Sequence, residues 1–288
     1  MALLPSVATR PLKRLLVGRV RAIFNDRARG EQPIIRSAQA LFPEGSVIWR
    51  VHGDVTTMMV GGVTALLLQM LHPAALAGIW DHSTFRDDML GRLRRTARFI
   101  AVTTFAVRAD ALAAIDRVRQ VHDRVTGTLA DGTPYRANDP HLLAWVHVTE
   151  ALCFLDAWIR YGEPDMSRTD QDLYFAQFAD IAHKLGAAPV PESRAEAEAL
   201  VARLRPQLQA DARTREVARL VLRQKAPTPA PIPVQKITME AAVDLLPDWA
   251  RTLHALPSHY LSRPAIRLST AMVASSLRWA FARDRRSA

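Results

Sequence analysis

The sequence predicts an all-α protein, a single large helical domain, and three observations predict it. Apolar residues recur at helical spacing along nearly the whole chain. The breaks between these runs carry helix punctuation: Asp139 stands as a cap before a first-turn proline, Pro140, and Gly162-Glu163-Pro164 closes the same run. No segment alternates polar and apolar residues for long enough to require a sheet. With 49% hydrophobic and 23% charged residues over 288 positions, the chain has a globular composition and can bury a sizeable core.

The first helix is expected over about 11–25, where Leu12, Leu15, Leu16, Val20, Ile23 and Phe24 share a face away from Lys13, Arg14 and Arg21. Such a basic amphipathic helix can lie on an anionic membrane or dock on its own domain, and Arg19 within the apolar sector favours docking. After Pro43-Glu44-Gly45-Ser46, helices are predicted near 54–71, 73–80, 91–105 and 108–128. Residues 55–71 form an uncharged run of 17 that is the transmembrane candidate of the sequence. Its threonines, Gln69 and the Gly61-Gly62 pair suit a helix buried inside the protein better. A turn-rich stretch from Leu129 precedes the Pro140 helix, which is expected to reach about 161. Helices over 168–186 and 193–223 follow. Pro227, Pro229, Pro231 and Pro233 predict an extended segment, and helices near 238–254 and 258–283 complete the chain.

The formal charge of +10 suggests nucleic acid until it is located. Residues 1–36 hold eight Lys/Arg against two Asp/Glu, and residues 278–288 hold four Arg against one Asp, so the body between them is close to neutral. A phosphate-tracking stripe belongs on the folded domain rather than at its ends, so no nucleic-acid partner is expected. The basic ends instead suit peripheral contact with a membrane. The single cysteine, Cys153, excludes an intrachain disulfide and a Cys-rich metal site, and no C-x-x-C-H is present for covalent haem. The N-terminus lacks a continuous apolar core of the secretory type, and a cytoplasmic location, with membrane association through the basic ends, is the expectation.

Nine histidines supply the raw material for chemistry. His122 falls on the apolar stripe of its helix with Ile115, Val118 and Val125. A buried imidazole there must either satisfy its nitrogens by hydrogen bonds or ligate a metal. Arg92 and Thr96, four apart, share a helix face that suits a carboxylate or phosphate, or is an ordinary basic face beside Arg94, Arg95 and Arg98. His72 closes the most apolar helix before Pro73, either facing a pocket or meeting a helix end. His82 follows in Asp81-His82-Ser83, and His147 and Glu150 stand three apart. No Glu-x-x-His is present; Asp180-x-x-His183 stands alone, which makes a non-haem di-iron bundle a weak alternative.

The succession SVIWRVHGD (46–54), ALLLQMLHP (65–73), HSTFRDD (82–88), GRLRRT (91–96), VRQVHDRVTG (118–127), PYRANDPHLLAWVH (134–147) and LLPDWAR (245–251) resembles the family shared by bacterial rubber oxygenases (latex clearing proteins) and fungal MpaB. The elements occur in order and cover roughly residues 43–255, the catalytic domain on this reading, between a basic helical extension at 1–42 and a C-terminal helix with a basic tail at 256–288. The resemblance implies globin-like helix packing and a non-covalent haem b. It maps the axial histidine onto His122 and the cofactor-binding Arg and Thr onto Arg92 and Thr96. Arg95 stands where the best-known rubber oxygenases carry a lysine on the distal haem face; a guanidinium has no accessible neutral form with which to ligate iron. Arg95, His72 and His82 are the candidates for distal polarity. The resemblance thus implies a haem-dependent oxygenase that takes dioxygen and a small hydrophobic substrate. Without an export signal, an intracellular lipid or isoprenoid fits better than rubber, with oxidative C=C cleavage as the reaction. The alternative of another class is a non-catalytic haem- or lipid-binding protein at a membrane surface.

Overall fold

A computed structural model describes residues 10–18, 32–224, 232–257 and 261–282. In chain order the helices are α1 (10–18), α2 (Val47–His52), α3 (Val55–Gln69), α4 (Pro73–His82), α5 (Met89–Phe105) and α6 (Arg108–His122). Two short strands follow, β1 (Thr126–Thr128) and β2 (Pro134–Arg136). Then come α7 (Pro140–Tyr161), α8 (Arg168–Leu185), α9 (Arg194–Leu204), α10 (Ala212–Leu222), α11 (Ile232–Leu245), α12 (Asp248–Leu253) and α13 (Arg263–Phe281). The protein is all-α, as its periodicity predicts.

The uncharged run becomes α3, started by Asp54, whose side chain accepts from the Thr57 N–H at 2.9 Å. Thr56, Thr57, Val60, Gly61 and all of 63–69 are buried, so a helix apolar all round is here a core helix. Its partner is α7, where the Asp139 carboxylate caps His141 and Leu142 and Pro140 occupies the first turn. Among the described residues α7 is the one helix long and apolar enough to cross a membrane, and two thirds of its most apolar stretch is buried in the protein. The two helices touch at Gly61, where a Cβ would stand 2.7 Å from the Cys153 carbonyl and 2.9 Å from Phe154 Cα. Only glycine permits that approach.

Helices α11 and α13 cover another side of α3. Thr64 donates to the Ala242 carbonyl at 3.1 Å, and buried Asp244 receives Arg160 (3.2 Å), Arg263 (3.0 Å) and Arg267 (2.8 Å). Arg278 joins α13 to the Asp54 cap at 2.6 Å. Elsewhere α5 and α6 pack on each other and against α2 and α8, with the Trp49 and Phe105 rings edge to face at 5.1 Å.

Several boundaries differ from expectation for identifiable reasons. The helix predicted over 108–128 stops at His122, because Thr126-Gly127-Thr128 pairs with Pro134-Tyr135-Arg136. Gly127 lies under the Tyr135 ring, where a Cβ would meet the phenol oxygen at 2.6 Å, and Gly132 turns the hairpin at φ +88°. The helix predicted over 193–223 breaks at a 3-10 turn, Arg205–Gln207, containing Pro206, and Asp211 restarts it with a capping box to Thr214. Pro247 divides the 238–254 helix into α11 and α12. Pro233, expected in an extended segment, lies in the first turn of α11, where the missing N–H costs nothing. Residues 225–231, with the other three alternating prolines, lie outside the described residues, as do residues 19–31 of the basic extension and the tail beyond 282.

Candidate functional site

The N-terminal half of α5 and the C-terminal end of α6 bring Arg92 and His122 together. Asp88 caps α5 through the Gly91 N–H at 2.8 Å and sets the register of the turn that carries Arg92. The half-buried Arg92 side chain has one long contact, Nη1 to Ser83 Oγ at 3.4 Å. Burial, helped by the charge of Arg95, pushes its pKa down to about 10. A desolvated guanidinium with so weak a partner is prepared to receive an anion.

His122 is the last residue of α6. Ala111 and Ile115 on its stripe are buried, while Val118, His122 and Val125 are half-buried. Its Nδ1 is shielded from solvent and has no hydrogen-bond partner. Burial lowers its pKa, the Asn138 side chain beside it opposes that, Arg92 pushes the same way as burial, and Asp123 opposes. The result is a neutral imidazole at neutral pH with a lone pair available for a metal. Asn138 is itself pinned by the Arg119 carbonyl at 3.0 Å and by Asp123, so the last turn of α6 is held together around the ring.

Thr96 shares the α5 face with Arg92, but its side chain is exposed and its hydroxyl donates back to the Arg92 carbonyl at 3.3 Å. Arg95 is exposed and paired with Asp88 at 3.4 Å. His82, at the end of α4, is exposed and bonds the Thr126 carbonyl through Nε2 at 3.0 Å, just past His122. Tyr135 donates to Asp81 at 2.8 Å and fixes the same corner; burial and Asp81 raise its pKa to about 12. His72 is the N-cap of α4: its Nδ1 accepts from the Ala74 N–H at 3.3 Å, beside the Trp145 ring. It caps the start of the next helix rather than the end of the previous one, and burial holds its pKa low against the pull of Asp139.

A second polar group, to which the sequence reading assigned no role, lies in the core. His52 bonds Thr104 Oγ1 at 2.8 Å and the Tyr174 hydroxyl at 3.1 Å. Phe178 packs edge-on against both His52 and His147, at 5.0 and 4.7 Å between centroids. Burial pushes both imidazoles down to about 3, so both are neutral, and His147 Nε2 has no partner. One turn along α7, burial pushes Glu150 up to about 7 against the hydrogen bond from Gln69 at 3.5 Å. The readable signal was His147 and Glu150 three apart on a largely apolar helix. His52 gave none, because its partners come from α5 and α8. Among the described residues no three His, Cys, Asp or Glu side chains gather as metal ligands.

No curated protein and no solved structure matches the chain. Residues 49–279 do match the family described as ER-bound oxygenase mpaB/B'/Rubber oxygenase, catalytic domain, a match that runs from α2 to near the end of α13. The chain therefore belongs to the MpaB/rubber-oxygenase family of oxygenases.

Proposed function

We propose that this oxygenase works with a non-covalent haem b held by His122 and acts on a lipid or isoprenoid. The observation that carries the reading is the neutral imidazole of half-buried His122, whose solvent-shielded Nδ1 has only the Asn138 side chain beside it, next to the desolvated guanidinium of Arg92. The two together fit the cofactor: a neutral ring nitrogen for the iron and a half-buried, desolvated cation for a propionate. Thr96, one turn from Arg92, has a hydroxyl free to turn from its own helix carbonyl toward the same carboxylate. Haem, when bound, supplies the iron at which dioxygen is activated.

The chain's own residues then bind, orient and tune. His122, at the end of α6, would hold the haem iron. Arg92 would anchor a propionate from α5, and its positive charge adds to the burial that lowers the His122 pKa. Arg95, one residue before Thr96, cannot ligate iron; it would contribute charge and hydrogen-bond donors near the cofactor, in exchange for its pairing with Asp88. His82, bonded to the Thr126 carbonyl close to His122, would add polarity at the same corner, whereas His72 is held at the N-cap at the far end of α4. Oxidative cleavage of a C=C bond by one dioxygen molecule yields two carbonyl fragments, and its balance requires no external reductant. The test is the visible spectrum of the purified protein, followed by extraction into acidified organic solvent. A Soret band whose porphyrin leaves with the solvent is expected. A protein that turns over an unsaturated lipid without porphyrin would overturn the reading.

A further inference from the structure

Helix α13 buries Ile266, Thr270, Ala274 and Ala280 and turns its opposite face to solvent. At 100° per residue, Ala265, Leu268, Met272, Ser275 and Trp279 fall within a sector of about 80° that runs about 21 Å along the helix. Leu268 and Met272 are 65% and 62% exposed, and Leu261, two residues ahead of the helix, is fully exposed. The sector contains no charged residue. Exposed apolar surface of this length marks a contact.

Helix α1 supplies a basic border. Lys13 Nζ stands 5.2 Å from the Trp279 ring centre and 3.4 Å from the Ala282 carbonyl, so α1 lies at the C-terminal end of the stripe. Leu12 and Leu15 are about half exposed, and Arg10 and Arg14 are exposed beside them. Residues 1–25 hold five Lys/Arg and no Asp or Glu.

We propose that the exposed faces of α13 and α1 together form a docking surface for an anionic lipid bilayer. The stripe lies in the acyl boundary, Trp279 at the interface, and the basic residues of α1 on the headgroups. Charge complementarity selects this occupant. A second copy would meet the patch with an identical patch, with no acidic side chain in the sector to receive the basic helix. The inference rests on this surface alone and is independent of the cofactor.

The test is co-sedimentation of the full chain with phosphatidylcholine vesicles, with and without phosphatidylglycerol, at low and high salt. Binding is expected to require phosphatidylglycerol and to weaken as salt rises. Leu268→Glu with Met272→Glu should lower the bound fraction by about tenfold or more with unchanged circular dichroism. Lys13→Glu with Arg14→Glu should remove most of the salt dependence. In a separate variant, Met272→Cys carrying a polarity-sensitive dye should shift to the blue on phosphatidylglycerol vesicles, with Cys153 buried and unlabelled. Unchanged binding by the Leu268/Met272 variant, no binding by the unaltered chain, or an unshifted dye would each overturn the proposal. So would a dimer, seen by sedimentation equilibrium, that the Leu268/Met272 variant dissociates, since the face would then join copies of the chain.

Discussion

Glu150 and the two core histidines respond to pH in opposite senses. Glu150 is raised to about 7 in the folded chain, so the stability tied to its proton is fully present below its unfolded value and is lost as pH rises through about 7. His52 and His147 are lowered to about 3, so the stability tied to their neutral form is present above the unfolded histidine value and is lost as pH falls toward 3. Replacing Glu150 by Gln keeps the shape and removes the titration. The melting temperature of the Glu150→Gln variant, relative to the unaltered chain, is therefore expected to rise between about pH 4.5 and 7. A difference that stays flat over that range would contradict the assignment of Glu150 as a buried, protonatable carboxyl. At this scale the sequence was uneven. The apolar stripe around His122 and the Arg92/Thr96 spacing could be read directly, because both are properties of one helix. The bond from His52 to Tyr174 spans 122 positions, and no local pattern encodes it.

Among the elements, the α3–α7 contact depends on one backbone approach. Gly61→Ala places a methyl group within 2.9 Å of the α7 backbone and the Phe154 ring, and α7 cannot move without shifting the core. A loss of about 1–3 kcal/mol in chemical denaturation is expected. Gly62→Ala is the control: its Cβ meets only the Phe154 ring at 3.6 Å, an ordinary contact, so helix propensity should make it neutral or up to about 1 kcal/mol stabilising. Equal effects of the two would contradict the close approach. Helix existence was legible in the sequence wherever the apolar period was long, as in α3, α7 and α8. Helix ends were less so. His122 to Val125 continues the period, but Gly127 is committed to Tyr135 across the hairpin, a pairing that operates over eight positions and outweighs local propensity. Helix α2, six residues long, is too short to show a period.

For the whole molecule, Asp244 is the tie that joins α7, α11 and α13, since its buried carboxylate receives guanidinium groups from Arg160, Arg263 and Arg267. Asp244→Asn leaves three cations around a neutral amide and is expected to cost about 3 kcal/mol, with α13 released to limited proteolysis before the rest. Proteolysis that begins elsewhere would place the weakest unit outside α13. The fold brings the beginning of α5, the end of α6 and the hairpin to one corner, where Arg92 and His122 lie. The most direct measurement is the visible spectrum of His122→Ala beside Arg92→Ala after both are saturated with haem. The first should lose or grossly alter its Soret band while keeping its helical circular dichroism, with partial recovery on adding imidazole. The second should keep a histidine-ligated spectrum but release haem faster. An unaltered spectrum in His122→Ala would place the axial ligand on another residue, with His72 the next to replace, and would contradict the account.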